Sequence, residues 1–217
     1  MKIDLSFICS RYCNLKCSFC MYNGGPDNNS SVDFAKLKFF ISTIDKTMIN
    51  SFGLYGGEIE QLRSDYDQLL QLLDPSIHRW AFSNGNWSVS KMRTYNFLAW
   101  CLDNKIGPII ISGTPEHRAY QDRKVLSRLQ KDYPNFIRLK NDDERFYPMG
   151  RLAGQDLPCT QRCITDKRPI RMAYTPENEV IFQTCDGVYP ILGQATEGFR
   201  NLVDKIPEAI KNCSRLR

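Results

Sequence analysis

The stretch Cys13-Asn-Leu-Lys-Cys-Ser-Phe-Cys20 decides how the rest of this sequence is interpreted. It places three thiols within eight residues, directly after an apolar run that ends at Ile8 and Cys9. Gaps of three and two residues between the thiols suit one corner of a [4Fe–4S] cube, in which each thiolate binds a different iron. Such cubes normally take four cysteines, so three would leave one iron open to another ligand. The spacing alone leaves a zinc site and metal-free thiols as alternatives.

The composition predicts an ordinary globular protein. The chain has 217 residues, of which 42% are hydrophobic and 24% charged, which suits one large domain with a small appendage. We find no apolar run long enough for a membrane span and no signal-peptide pattern, so we expect a cytoplasmic protein without a membrane partner. The net charge of +5 would suit a polyanionic partner but does not require one.

The nine cysteines are many for a reducing compartment, where metal binding or catalysis is commoner than a disulfide framework. Three belong to the Cys loop, which we define as residues 13–20. A second group lies towards the C-terminus and consists of Cys159, Cys163, Cys185 and Cys213. Cys9 and Cys101 lie in apolar runs, and we expect both to be buried as small hydrophobic residues.

Hydrophobic periodicity predicts strands that alternate with helices over most of the chain. Strands are expected at 3–9, 52–55, 79–82, 108–112 and 136–139. Helices are expected at 34–44, 60–73, 89–103 and 116–131. This alternation predicts a parallel sheet, in which ligands bind at the C-terminal ends of the strands. The segments 13–20, 56–58 and 83–86 each follow a strand, so we expect them to share one edge.

The alternation stops after about residue 145. Prolines and glycines between 148 and 158 mark a linker, and the segments 170–174 and 179–183 flank a turn, which predicts a β-hairpin. A short helix is expected at 203–211. We therefore divide the chain into an α/β body, 1–150, and an appendage, 151–217, that carries the second cysteine group.

Four segments, taken in order, make the sequence similar to the radical S-adenosylmethionine enzymes. The Cys loop, with Phe19 before its last cysteine, resembles the signature of that family. Tyr55-Gly-Gly-Glu58 resembles its Gly-Gly-Glu element after the second strand, and Ser83-Asn-Gly85 resembles its Thr-Asn-Gly turn after the third. Ile111-Ser-Gly113, followed by Glu116, His117 and Arg123, resembles the fourth strand and helix of the family's larger members. These matches cover roughly residues 3 to 155.

The resemblance implies a partial (β/α)6-type TIM barrel and, in the appendage, a shortened SPASM/twitch-like region. It implies a [4Fe–4S] cluster on Cys13, Cys17 and Cys20 whose open iron binds S-adenosylmethionine. An electron from a donor such as a flavodoxin or ferredoxin would then cleave the cofactor to a 5′-deoxyadenosyl radical. A second, auxiliary [4Fe–4S] cluster would be bound by Cys159, Cys163, Cys185 and Cys213. A zinc knot or unliganded thiols remain the alternatives for these four cysteines.

The resemblance also assigns the residues that bind the cofactor, which are Phe19, Gly56, Gly57, Glu58, Ser83, Asn84, Ser112 and Arg123. Glu58 would hold the amino group of the methionine moiety through a charge-assisted hydrogen bond, and the glycines would let the backbone approach the ligand. Ser83, Asn84 and Ser112 are candidates to bind the ribose hydroxyls or the carboxylate of the cofactor. Arg123 is a candidate to bind the carboxylate. We expect His117 and His78 to be surface or packing residues.

The resemblance specifies the substrate less closely than it specifies the cofactor. We lean to rearrangement or modification of a nucleobase in DNA or RNA, because the chain is compact and mildly basic and has no separate peptide-binding module. The family includes phage enzymes that rearrange a substituent on thymine. A peptide substrate is the alternative, and a deazapurine precursor fits less well because those enzymes usually lack a second cysteine group. A non-enzymatic zinc- or cluster-binding protein is the third class. The reaction class, whether isomerase, oxidoreductase or transferase, stays open.

Overall fold

A computed structural model describes residues 1–140, 169–183 and 190–211. Within these ranges the strands are β1 (Ile3–Phe7), β2 (Ile49–Leu54), β3 (His78–Ser83), β4 (Ile106–Ile111), β5 (Ile137–Leu139), β6 (Ile170–Tyr174), β7 (Glu179–Phe182) and β8 (Ile191–Gln194). They form one mixed sheet in the order β5-β4-β3-β2-β1-β6-β7-β8. The first six strands in this order, β5 through β1 to β6, are all parallel to their neighbours. The pairs β6–β7 and β7–β8 are antiparallel. The predicted α/β class with a partial TIM-type barrel is confirmed.

The helices follow the strands as the periodicity predicted. They are α1 (Phe34–Ser42), α2 (Arg63–Leu72), α3 (Lys91–Asp103), α4 (Pro115–Arg118), α5 (Arg123–Asp132), α6 (Phe199–Asp204) and α7 (Ile206–Lys211). The side chains of Asp33, Ser90 and Asp122 cap α1, α3 and α5 by accepting hydrogen bonds from first-turn amides, which satisfies donors that the helix leaves unpaired. None of the helices in the described ranges is long and apolar enough to cross a membrane.

Three elements differ from the sequence prediction. The helix predicted at 116–131 is two helices, because Asp122 accepts from the amides of Lys124 and Val125 and so starts α5 afresh. The final helix begins earlier than 203 and is divided into α6 and α7, where Pro207 cannot donate to a continuing helix. The prediction missed β8, which is only four residues long and contains Gly193.

The two faces of the sheet carry different side chains. Alternate residues of the strands, such as Leu5, Phe52 and Ile109, join the helices in the main core. Burying one such side chain fully contributes about 1.5–3 kcal/mol. The opposite, inner face carries a smaller buried cluster of Ile8, Tyr55, Ala173 and Ile181, against which Tyr22, Trp80 and Phe82 pack. Cys9 and Cys101 belong to the main core, as predicted.

The predicted hairpin is present as β6 and β7, with Ala173 paired to Ile181. It continues the main sheet, because β6 pairs in parallel with β1 along the whole strand, with Ser6 opposite Ala173. This pairing satisfies backbone groups along the edge of β1 that β2 leaves unpaired. The domain boundary at residue 150 lies outside the described residues and stays a prediction.

Candidate cofactor site

Three of the predicted segments meet at the carboxyl edge of the sheet. The Gly57 amide donates to the Ser10 carbonyl at 2.9 Å, and the Glu58 amide donates to the Tyr12 carbonyl at 3.1 Å. These bonds join the segment after β2 to the chain that enters the Cys loop. The Asn84 side-chain amide donates to Asn14 Oδ1 at 2.9 Å, which joins the segment after β3 to the same loop.

Cys13 and Cys20 both lie next to Gly24. A Cβ built on Gly24 would lie 3.6 Å from both Cys13 Cβ and Cys20 Sγ, and the Gly24 amide donates to Cys20 Sγ at 3.1 Å. Cys13 Sγ accepts from the Asn84 side-chain amide at 3.6 Å. Burial, and then the nearby Glu58, raises the pKa of the Cys13 thiol to about 11. A buried thiol of this kind becomes a stable thiolate beside a cation, and metal coordination deprotonates it.

The donor set of the Cys loop fits an iron–sulfur cluster. Cys13, Cys17 and Cys20 lie on one short loop, and thiolate is the ligand that such clusters take. Gly24 leaves the space beside Cys13 Cβ and Cys20 Sγ free of a side chain. Among residues 1–140, 169–183 and 190–211, no three Cys, His, Asp or Glu side chains are grouped to hold a single metal ion. The second cysteine group, Cys159, Cys163, Cys185 and Cys213, lies outside these ranges, so the auxiliary cluster stays a prediction.

His117 contacts the Cys loop, and its ring packs against Phe19, which agrees with the expected packing role; its contact with Cys17 was not predicted. Its Nε2 lies 3.1 Å from Cys17 Sγ, and its ring meets Phe19 edge to face with centroids 5.3 Å apart. Its Nδ1 is hydrogen-bonded to Ser112 Oγ. The sequence signal that could have placed His117 at the site is that nearby Ser112 follows a predicted strand, as the other site segments do. His78 is exposed, as expected.

Glu58 is buried where these segments meet. Its Oε1 accepts from Ser83 Oγ at 2.7 Å, and its Oε2 accepts from the Asn84 amide at 2.7 Å. Ser83 Oγ also accepts from the Gly85 amide at 3.0 Å and from Trp87 Nε1 at 2.9 Å. Burial raises the pKa of the Glu58 carboxyl to about 7, although these hydrogen bonds act to lower it. The carboxylate is therefore held in one orientation by neutral donors.

Gly56 and Gly57 let the end of β2 lie against the chain that enters the Cys loop. A Cβ on Gly57 would lie 1.6 Å from the Tyr12 carbonyl oxygen. Gly56 has a φ of +148°, and a Cβ there would lie 2.8 Å from the Ser10 carbonyl oxygen. These glycines thus approach protein backbone, and their approach to a ligand stays a prediction.

We expect Gly57→Ala to displace the Cys loop, because backbone atoms cannot move aside as a flexible side chain can. The free energy of unfolding should fall by about 3 kcal/mol, the upper part of the range for overpacking. Urea denaturation would measure this loss, and iron analysis after anaerobic reconstitution should show reduced incorporation. Gly24→Ala is the milder comparison, because its Cβ would lie 3.0 Å from the nearest atom, the Arg11 carbonyl oxygen. Wild-type stability and iron content in Gly57→Ala would contradict the close contact.

A polar chain that the sequence did not reveal connects the Cys loop to α3. Asn14 donates to Asn86 Oδ1 at 2.8 Å, and Arg93 Nη1 donates to the same oxygen at 3.0 Å. Arg93 also forms a two-point ion pair with the buried Glu60, with nitrogen–oxygen distances of 3.1 and 2.8 Å. Paired contacts of this geometry orient both partners. The loop is therefore held by a network as well as by backbone.

Arg123 is connected to the site through Gln121. Its Nη1 donates to Gln121 Oε1 at 3.1 Å, while Gln121 Nε2 donates to the carbonyls of Asn84, at 2.6 Å, and Ser112, at 2.8 Å. Burial, and then the charge of Arg118, lowers the pKa of the Arg123 guanidinium. Gln121 is a site residue that the sequence prediction missed. A contact between Arg123 and a cofactor carboxylate stays a prediction.

The inner face beside this site carries an aromatic surface, which we define as Tyr22, Tyr55, Trp80 and Phe82. The rings of Tyr22 and Tyr55 have centroids 5.4 Å apart, and those of Tyr55 and Trp80 stack at 5.7 Å with an interplanar angle of 28°. Lys140 Nζ lies 4.6 Å from the centroid of the Phe82 ring, a cation–π contact. Flat rings and a cation therefore occupy one continuous part of the inner face.

Comparison with known proteins identifies the fold. No protein-family model and no curated protein matches the sequence. Among solved structures, native anSMEcpe with bound AdoMet is similar over 93% of this chain and 80% of its own, with 14% sequence identity and a TM-score of 0.54. Native anSMEcpe with bound AdoMet and Kp18Cys peptide is similar over 96% of this chain and 82% of its own, with 14% identity and a TM-score of 0.51. These structures are of a radical S-adenosylmethionine enzyme, and the chain described here has its fold.

Proposed function

We propose that this chain is a radical S-adenosylmethionine enzyme. It binds a [4Fe–4S] cluster through Cys13, Cys17 and Cys20, uses S-adenosylmethionine as cofactor and abstracts hydrogen from a substrate. The observation that carries the proposal is that Asn84 contacts both Cys13 of the Cys loop and the buried Glu58, whose amide bonds to Tyr12 just before the loop, at one edge of this fold. The cluster, once bound, would supply the electron that cleaves the cofactor to methionine and a 5′-deoxyadenosyl radical. A flavodoxin or ferredoxin would be the external electron donor.

Glu58 is proposed to bind the ammonium group of the methionine moiety. Its two oxygens are oriented by Ser83 Oγ and the Asn84 amide, and Oε1 also accepts from the Glu60 amide at 3.5 Å. Oε2 keeps a further lone pair that can accept a hydrogen bond. An approaching ammonium favours the ionised carboxylate, so the pKa of Glu58 would fall when the cofactor binds. Ser83 is saturated by its present partners, which supports a positioning role for it.

The test is anaerobic incubation of the reconstituted protein with S-adenosylmethionine and dithionite. We expect 5′-deoxyadenosine, which mass spectrometry detects. If iron-loaded protein forms none, the enzyme proposal is wrong, and a non-enzymatic cluster-binding protein becomes the better description. Iron analysis of the same sample tests the auxiliary cluster, because two cubes contain about eight irons and one contains about four.

We further propose a nucleobase in DNA or RNA as substrate, rearranged or modified by the radical. The aromatic surface on the inner face supports this class, because base–aromatic stacking contributes about 1–3 kcal/mol per base. Lys140 beside Phe82 and the net charge of +5 would suit the phosphates of a nucleic acid. A peptide is the second candidate, and the similar fold of anSMEcpe solved with a bound peptide favours it.

Binding of a fluorescent single-stranded oligonucleotide separates these two substrate classes. We expect binding that weakens as salt is raised, because phosphate contacts release counterions. Trp80→Ala should weaken it by roughly five- to 150-fold, the loss of about one stacked base. Tyr95→Ala is the matched control, because Tyr95 is an aromatic residue on α3 that is 72% exposed. If wild type does not bind, or if Trp80→Ala binds equally well, a peptide becomes the favoured substrate.

A further inference from the structure

We propose that His117 is a positioning residue that donates a hydrogen bond from Nε2 to the Cys17 sulfur and so raises the reduction potential of the cluster held there. The contact joins α4 to the Cys loop across 100 residues of sequence, with 3.1 Å between the two atoms. The inference rests on the proposed function, since Cys17 has a cluster potential to influence only if it binds a cluster.

The partners of the ring determine which nitrogen carries the proton. A metal-bound thiolate only accepts hydrogen bonds, so Nε2 must be the donor to Cys17. In a neutral imidazole the other nitrogen is then an acceptor, and a hydroxyl can donate to it. Ser112 Oγ is hydrogen-bonded to Nδ1, and its hydroxyl can donate there, so Ser112 accommodates the tautomer that the thiolate requires. Ser112 is itself fixed, because its amide donates to the Ser83 carbonyl at 3.0 Å.

The short helix α4 holds the ring against the loop. The His117 amide is 3.4 Å from its acceptor Thr114 Oγ1, the N-cap of α4. Next to His117, the Glu116 carboxylate accepts from the Ser18 amide at 2.9 Å and also from the Ser18 hydroxyl. Since the His117 ring also meets Phe19, this helix contacts three successive loop residues from 17 to 19. The histidine cannot turn away without losing several of these contacts.

A donor at this sulfur favours the reduced state. One-electron reduction takes a [4Fe–4S] cluster from the 2+ to the 1+ state, and the added negative charge is shared by its sulfurs. Hydrogen bonds to cluster sulfurs are among the factors that set the potential, and they strengthen as the acceptor becomes more negative. No proton leaves His117 in this step. Loss of the donor should make reduction about tenfold less favourable, which for a one-electron couple is about 59 mV to more negative potential.

The test is a redox titration of the reconstituted full chain, followed by electron paramagnetic resonance. The reduced cluster of interest is identified in wild type as the signal that changes when S-adenosylmethionine is added. We expect His117→Ala to shift its midpoint to more negative potential and His117→Gln, which keeps an N–H donor, to recover part of the shift. His78→Ala is the matched control, because His78 is exposed at the start of β3 and should leave the midpoint unchanged.

An unchanged midpoint in His117→Ala would overturn the inference. If that variant loses iron, Ser112→Ala decides instead, because it keeps the ring but removes the hydroxyl that donates to Nδ1. A wild-type midpoint in Ser112→Ala would equally overturn it. A wild-type protein with no such signal, or with no 5′-deoxyadenosine, contradicts the proposed function itself. A normal wild-type signal without a shift in the variants contradicts only the role of His117.

Discussion

Replacing Cys17 with alanine is expected to abolish the formation of 5′-deoxyadenosine. Cys17 is buried at the centre of the Cys loop, so Cys13 and Cys20 alone would remain to hold the cluster. Changes to outer-shell partners of a metal site typically cost 10- to 100-fold in affinity or activity, and losing one of three ligands should cost more. We therefore expect product below detection, together with a loss of about four irons per chain.

The control for this experiment is Cys101→Ala. Cys101 is a free thiol, fully buried in α3 within the main core and outside the Cys loop. Its replacement leaves a small cavity that should cost about 1 kcal/mol of stability but should keep both iron and product. Product formation by Cys17→Ala at the wild-type level would mean that the Cys loop does not hold the catalytic cluster.

The sequence predicted the body of the fold well because its signals are local. Strands such as β2 and β4 and helices such as α3 each carry their own hydrophobic period and end at residues that cap or turn the chain. The pairing of β6 with β1 joins residues far apart in sequence, and nothing in either strand specifies its partner. The short β8 lacked a pattern long enough to detect.

The candidate site likewise has contacts that the sequence predicts and contacts that it does not. Glu58 and Asn84 follow consecutive parallel strands, so their meeting with the Cys loop at one edge follows from the order of the elements. The contact of His117 with Cys17 depends on where α4 docks, and the period of that short helix does not specify this. The fit of Gly57 against Tyr12 likewise depends on an approach of backbone to backbone that a Gly-Gly pair only permits.

Glu58 should make the apo protein less stable as the pH rises from about 4.5 to about 7. Its ordinary pKa of 4.5 is raised to about 7 in the folded state, chiefly by burial and against the hydrogen bonds from Ser83 and Asn84. Over this interval the unfolded chain has lost the proton while the folded protein retains it. Because the folded state binds more protons, the free energy of unfolding falls with pH, and this stabilisation is complete only below about pH 4.5. The total loss should be about 3 kcal/mol.

Glu58→Gln removes the ionisable group, so its free energy of unfolding should lack this fall. The absolute stability of the variant is not the measure, because the new NH₂ group must face either the Asn84 amide or Ser83 Oγ. The measure is the change between pH 5 and pH 8 in urea denaturation of metal-free protein, compared between variant and wild type. The same change in both proteins would mean that Glu58 is already ionised in the folded state at pH 5. The hydrogen bonds to its carboxylate would then lower the pKa enough to offset the effect of burial. Glu58 would bind the cofactor ammonium without any change of protonation.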